Sequence, residues 1–251
     1  MALTSKVKIF ADGADLAAIK GLYANPLIKG FTTNPTLMRA AGVTDYRKFA
    51  LEVLAAVPDR PVSFEVFADD FDEMVDQGKE IGGWAKNVNV KIPVVDSRGK
   101  FTGPVIKTLS DAGIHVNVTA VFTPQQVQAI VDCLTKGVPA YVSIFAGRIA
   151  DTGIDPVPVV FKAVEMLRAW PLAEVIWASP RELLNIFHAD ACGCQIITVT
   201  PDILRKLSLV GKDQQQYSLE TAQMFLTDAQ KAGYTIPTSQ RTHRPKALAS
   251  S

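Results

Sequence analysis

Eight short β-rich runs alternate with eight amphipathic stretches along the chain, and this alternation restricts the fold more than any single motif does. The runs fall at residues 7–11, 30–33, 62–66, 88–92, 115–120, 141–145, 174–178 and 195–199. Residues 15–23, 45–56, 71–84, 103–112, 124–136, 156–170, 180–189 and 201–207 space their apolar side chains near the 3.6-residue period of a helix. Pro124, Pro156, Pro180 and Pro201 fall where a first helical turn begins, a place that suits a fixed φ and a missing donor. Gly113 and Gly137 follow predicted helix ends, as C-terminal caps do. Eight consecutive β-α units predict an α/β protein built as a closed parallel TIM (β/α)8 barrel, with an open doubly wound sheet as the alternative. Residues 217–231 predict an extra amphipathic helix, so residues 1–236 are read as the barrel with its C-terminal helix and 237–251 as a mobile tail.

Composition narrows the function classes. A chain of 251 residues with 48% apolar and 20% charged residues buries a full core, and a net charge of +1 suggests no polyanionic partner. Nucleic-acid binding is therefore not expected, and Arg241, His243, Arg244 and Lys246 in the tail are read as a solvated end. Residues 1–10 lack an apolar stretch of signal-peptide length, and no segment reaches the ~20 apolar residues that cross a bilayer. A cytoplasmic protein with no membrane partner is the expectation. Cys133, Cys192 and Cys194 are odd in number and not spaced as a zinc knuckle or a CxxC redox pair, so they are read as reduced and structural, with no metal site. Neither a GxGxxG nor a Walker loop is present.

Lys91 stands inside the apolar run Val88-Asn89-Val90-Lys91-Ile92-Pro93-Val94-Val95. Strands buried on both faces read as unbroken β-branched stretches, so a lysine within one needs a reason. One reading is a lysine whose stem is buried while its head reaches solvent or a carboxylate. The other is chemical: desolvation disfavours an ammonium and can make a buried lysine an amine nucleophile, the chemistry of a Schiff base.

In a barrel, catalytic side chains project from the C-terminal rim of the strands. Asp12 follows the first predicted strand, Thr33 and Asn34 close the second, Glu65 lies near the end of the third and Lys91 near the end of the fourth. Asn117 and Thr119 lie on the fifth, Phe145 and Arg148 close the sixth, and Ser179 and Arg181 follow the seventh. An amine, two carboxylates, hydroxyl and amide donors and two arginines suit an anionic ligand with a carbonyl. The arginines are the natural phosphate anchor, because a guanidinium fork stays charged and donates in pairs.

Several segments carry a family resemblance at matching order and spacing. They are Ala11-Asp12-Gly13-Ala14-Asp15, Thr32-Thr33-Asn34-Pro35-Thr36, Phe64-Glu65-Val66 and Asn89-Val90-Lys91-Ile92-Pro93. Asn117-Val118-Thr119-Ala120-Val121-Phe122, Phe145-Ala146-Gly147-Arg148-Ile149 and Ala178-Ser179-Pro180-Arg181 complete the set. Over roughly residues 7–235 the chain resembles the transaldolase family, in particular its short single-barrel branch with the fructose-6-phosphate aldolases.

The resemblance implies a role for each rim residue. Lys91 matches the Schiff-base lysine. Asp12 matches the acid/base that takes the proton of the ketose C4 hydroxyl, where a helix N-cap is its ordinary structural role. Glu65 and Thr119 match a pair relaying protons through a bound water, although a strand threonine is otherwise merely a β-former. Asn34, Asn117 and Ser179, with Thr33 and Phe145 beside them, match groups that line the substrate site; turn and cap chemistry is the alternative for the first three. Arg148 and Arg181 match the phosphate clamp, against surface salt bridges.

The implied activity is transfer of a dihydroxyacetone unit from a ketose phosphate, or a similar anionic ketose, to an aldehyde acceptor, without a cofactor. Two alternatives stand beside it: an aldolase that releases free dihydroxyacetone, and a catalytically silent barrel that binds a sugar phosphate. Glu65 and Phe145 favour transfer, since the short aldolases carry glutamine and tyrosine there. The family further implies a place in the pentose phosphate pathway and a homo-oligomer, often a decamer, whose C-terminal helix packs on a neighbouring subunit. Three places depart from the family pattern. Pro180 stands where an aromatic is common, no acid directly follows Arg148-Ile149, and the segment 96–102 is longer and more polar than usual.

Overall fold

The computed structural model describes residues 5–237. Strands β1 (Lys8–Asp12), β2 (Ile28–Thr32), β3 (Val62–Glu65), β4 (Val88–Pro93), β5 (Val116–Val121), β6 (Ala140–Ile144), β7 (Ala173–Trp177) and β8 (Ile196–Val199) pair in chain order and close into a barrel. Every pairing is parallel, including the closing pair β1–β8. The closed barrel, not the open sheet, is the fold.

The connecting helices are α1 (Leu16–Tyr23), α2 (Pro35–Ala40), α3 (Tyr46–Ala56), α4 (Phe71–Gly82) and α5 (Gly103–Asp111). They continue with α6 (Pro124–Val131), α7 (Ala146–Asp151), α8 (Val157–Leu167), α9 (Leu184–Ala191) and α10 (Pro201–Arg205). Short α2 and α7 lie outside the predicted set. Residues from Leu209 belong to a second compact unit, which holds α11 (Gln214–Lys231). The expected C-terminal helix is therefore present and begins three residues early, its first turn capped by the Asp213 carboxylate on the Gln216 amide. Most of the tail, residues 238–251, lies outside the described residues.

Strand alternation sorts the side chains into two cores. Val62, Phe64, Val88, Val90, Ile92, Val116, Val118 and Val142 pack outward against the helices in one continuous apolar cluster. Phe10, Ile176, Ala178 and Ile196 form a second cluster with Tyr141 and Phe145, filling one side of the barrel interior. Gly30 makes room for it: a Cβ there would sit 2.6 Å from the Phe10 ring. Most of the residues that alternate with the outward core on β3 to β6 are polar, and Ser63, Asn89, Lys91, Asn117, Thr119 and Ser143 are all buried. The barrel interior is thus apolar on one side and polar on the other.

Helix boundaries follow local chemistry. Pro124 and Pro201 occupy the first helical turn, as their residue type predicts, and Gly113 adopts φ 75 after α5. Pro156 instead takes the N-cap position of α8. Pro180 does not open α9, which starts at Leu184, because Asn185 Oδ1 accepts from the amides of Arg181 and Glu182 and holds a turn there. Similarly α6 ends at Val131 rather than beside Gly137: the Thr135 amide donates to Ser110 Oγ and leaves the helical path.

Candidate active site

The rim residues of β1 to β5 converge on Lys91. Its Nζ donates to the Thr33 carbonyl at 2.8 Å and lies 3.1 Å from Glu65 Oε2. Register explains the second contact, because Glu65 and Lys91 are directly opposed on β3 and β4, and Asn117 is opposed to Lys91 on β5. Lys91 is buried and Glu65 mostly so, their side chains 8% and 14% exposed. An ion pair at this depth persists only if hydrogen bonds offset its desolvation, and the Thr33 carbonyl supplies one.

Asp12 closes β1. Thr32 Oγ1 donates to its Oδ1 at 2.8 Å, Asn34 Nδ2 reaches its Oδ2 at 3.5 Å, and the Thr32 hydroxyl also meets that of Thr198 across the barrel seam. Burial pushes the Asp12 carboxyl above the usual carboxylate range and Glu65 adds to this, while the charge of Lys91 and the Thr32 and Asn34 hydrogen bonds act the other way. Asp12 therefore caps no helix: the N-cap of α1 is Asp15, which leaves Asp12 free of that structural duty. Asn34 does serve as a cap, accepting from the Leu37 amide with Oδ1 and turning Nδ2 towards Asp12.

Two hydroxyls hold Asn117. Ser143 Oγ donates to its Oδ1 at 2.7 Å, and its Nδ2 donates to Ser63 Oγ at 3.0 Å, which fixes which way the amide faces. Thr119 Oγ1 is buried and finds no hydrogen-bond partner among the described residues. The residue after it, Ala120, has φ 57, and the β5–β6 register shifts between Val118 and Val121. Left-handed backbone at a non-glycine residue in a bulge is strain of the kind that aims a side chain at a site.

The β6 and β7 rim carries the arginines. Arg181 binds Asp151 through both Nε, at 3.0 Å, and Nη2. This hydrogen bonding, followed by the charges of Arg181 and Arg148, holds the Asp151 carboxyl below its ordinary range. The Arg148 guanidinium stacks over the Phe145 ring with 5.4 Å to its centroid. Ser179 adopts φ 58, and its carbonyl lies so close to Gly147 that a Cβ there would approach it to 1.6 Å. Only glycine lets the two rim segments meet.

Ten of the eleven rim residues read from the sequence lie in the C-terminal half of their strands or in the segments that follow, Arg148 within α7; Asn117 instead sits second in β5, towards its N-terminal end. Sequence reasoning missed Thr32, Ser63, Ser143, Asp151 and Thr198. Serine and threonine in strands are common, and only contacts far apart in sequence reveal these. Asp151 also answers the missing acid after Arg148-Ile149: one stands a residue further on, facing Arg181. Among the described residues no group of three or more His, Cys, Asp and Glu side chains could hold a metal ion.

The sequence of residues 9–246 matches the family model described as Transaldolase/Fructose-6-phosphate aldolase. The chain belongs to the transaldolase/fructose-6-phosphate aldolase family. A protein of Hyphomonas neptunium named "Probable transaldolase" is 35% identical over 92% of this chain and 100% of its own length. One of Nitrosopumilus maritimus with the same name is 34% identical over 80% of this chain and 87% of its own. Among solved structures, 2,3-dimethylmalate lyase superposes with TM-score 0.53 at 11% identity, covering 96% of this chain and 88% of that one. Thiamine phosphate pyrophosphorylase of Pyrococcus furiosus gives TM-score 0.51 at 11% identity over 78% of this chain and 86% of its own. At such identities these two likenesses show the barrel alone. Family membership makes the chain a transferase- or aldolase-type enzyme of sugar-phosphate and aldehyde substrates. No helix among the described residues is long and apolar enough to cross a membrane.

Proposed function

We propose that the protein is a Schiff-base transaldolase that moves a dihydroxyacetone unit from a ketose phosphate, or a similar anionic ketose, to an aldehyde. The carrying observation is the buried Lys91 amine at 3.1 Å from Glu65 with the Asp12 carboxyl nearby. Lys91 gives a proton to Glu65 and attacks the C2 carbonyl; the carbinolamine loses water as Glu65 and Thr119 pass protons, which gives the free Thr119 hydroxyl a partner. Asp12 takes the proton of the C4 hydroxyl, the C3–C4 bond breaks, and an aldose phosphate leaves. The electron pair of that bond remains on the lysine as an enamine. Attack of the enamine on an acceptor aldehyde, with Asp12 returning its proton, and hydrolysis of the new imine complete the transfer.

Asn34, Asn117 and Ser179 hold substrate hydroxyls in this scheme, Thr33 steadies Lys91, and Arg148 with Arg181 receives the phosphate, which displaces Asp151 from Arg181. Phe145 supports transfer over hydrolysis, because a phenyl ring offers no proton to the enamine. The pentose phosphate pathway, a cytoplasmic location and a homo-oligomer belong to the same proposal; Leu219, Met224, Phe225 and Leu226 on α11 support docking on a neighbouring subunit.

The test is product analysis with fructose 6-phosphate as donor. With erythrose 4-phosphate present, sedoheptulose 7-phosphate should form, and without it free dihydroxyacetone should stay at trace level. Rapid dihydroxyacetone release without acceptor would make the protein an aldolase; binding without turnover of any ketose phosphate would make it a silent barrel.

A further inference from the structure

Glu65 has a supporting contact that the reaction scheme does not use. In a parallel barrel, the N–H and C=O of alternate residues face opposite neighbours. Val66 donates to Lys91 on the β4 side, and Ser63 accepts from Thr33 on the β2 side, so the main-chain groups of Glu65 also face β2. Chain β2 has left the sheet by then, since Asn34 caps α2. The rung beside Glu65 is filled by a side chain. Tyr46, the first residue of α3, accepts from the Glu65 amide at 2.8 Å and donates to the Glu65 carbonyl at 2.9 Å with the same hydroxyl.

Aromatic neighbours surround the Tyr46 ring, while the two hydrogen bonds to the Glu65 main chain set its hydroxyl. Phe67 lies 4.5 Å away between centroids, Trp84 5.7 Å and Phe64 6.2 Å. Burial, the main cause, pushes the phenol well above its ordinary range, so it remains a donor at any working pH. A phenolate would lose the bond to the Glu65 carbonyl.

We propose that Tyr46 is a positioning residue for the Lys91–Glu65 pair: its hydroxyl replaces the strand rung that β2 vacates and so holds the Glu65 carboxylate within reach of Lys91. This rests on the Schiff-base reading given above. Tyr46 touches no substrate and acts only through the Glu65 main chain, so its loss slows the steps in which Glu65 moves protons and spares ketose binding.

The test compares Tyr46→Phe with Phe67→Leu in the full chain, measuring steady-state kcat and KM with fructose 6-phosphate and the rate of borohydride-trappable imine formation. Tyr46→Phe keeps the ring and loses both hydrogen bonds. It should slow imine formation and kcat together by about ten-fold or more, with KM within about two-fold, since small misplacements of reacting groups carry penalties of this size. Phe67→Leu loosens the same aromatic group and should lower Tm without slowing imine formation. In a Glu65→Gln background, Tyr46→Phe should have no further effect on either rate. Wild-type rates in Tyr46→Phe, or an equal slowing in Phe67→Leu, would overturn the proposal. Should Tyr46→Phe fail to fold, hydrogen exchange of the unaltered chain decides: the Glu65 amide should exchange as slowly as that of Val66, and fast exchange would overturn the proposal. Absence of any trapped imine in the unaltered chain instead removes the Schiff-base reading itself, which separates the two failures.

Discussion

Lys91 Nζ lies 3.1 Å from Oε2 of Glu65, its directly opposed neighbour on β3. Removing one partner of a buried pair leaves the other uncompensated, whereas replacing both with apolar groups restores packing. Glu65→Ala should lower the unfolding free energy by about 3 kcal/mol. The double variant Lys91→Met/Glu65→Leu should recover most of that loss while being inactive. Urea unfolding of the three chains checks this, and a double variant no more stable than Glu65→Ala would contradict the pairing.

Asp12 predicts a pH dependence of stability. Its carboxyl titrates above the ordinary Asp range in the folded chain because burial disfavours the anion. The unfolded chain therefore releases this proton first as pH rises, and folding loses stability through the window between the two values, then levels off. Asp12→Asn should be more stable than wild type at neutral pH, with the difference vanishing below the ordinary Asp range. Thermal unfolding across pH reads this directly. In the same variant, turnover should fall by about 10²–10⁴-fold, the usual range for losing a general acid–base group.

Arg181 is the second arm of the proposed phosphate clamp. Hydrogen bonds to charged groups contribute about 1.5–3 kcal/mol each, so Arg181→Ala should lower kcat/KM for a phosphorylated ketose by at least about ten-fold. The same variant should leave a neutral ketose nearly unaffected. Equal losses on both donors would place Arg181 outside the clamp.

Gly147 lies against Ser179, where an added Cβ would come 1.6 Å from the carbonyl oxygen. Because the obstacle is backbone, Gly147→Ala must displace one rim segment. Overpacking of this kind costs about 1–3 kcal/mol, and Tm should fall by several degrees with a rise in KM for phosphorylated donors. Unchanged Tm and KM would show that the rim yields freely.

Much of the fold was legible because buried parallel strands write themselves as β-branched runs and the helices between them keep a 3.6 period. Lys91 stood out for the same reason: a charge interrupts such a run. Helices α2 and α7 escaped, since six residues each are too few to show a period. The start of α9 escaped because it depends on the Asn185 side chain reaching back to Arg181 and Glu182, a contact that competes with the helix Pro180 suggests. Within the site, the Thr32–Thr198 hydroxyl contact spans 166 residues and Asn117–Ser63 spans 54, distances over which one sequence carries no pattern. The Tyr46 hydroxyl is hidden in another way, since a tyrosine in the first turn of an amphipathic helix looks like ordinary core.

The central claim is that Lys91 forms the covalent intermediate, and borohydride reduction in the presence of fructose 6-phosphate tests it most directly. Mass spectrometry of the digested chain should place a reduced sugar adduct on the peptide containing Lys91, with activity lost in proportion. An unmodified Lys91 in a chain that still turns over the ketose would contradict the account.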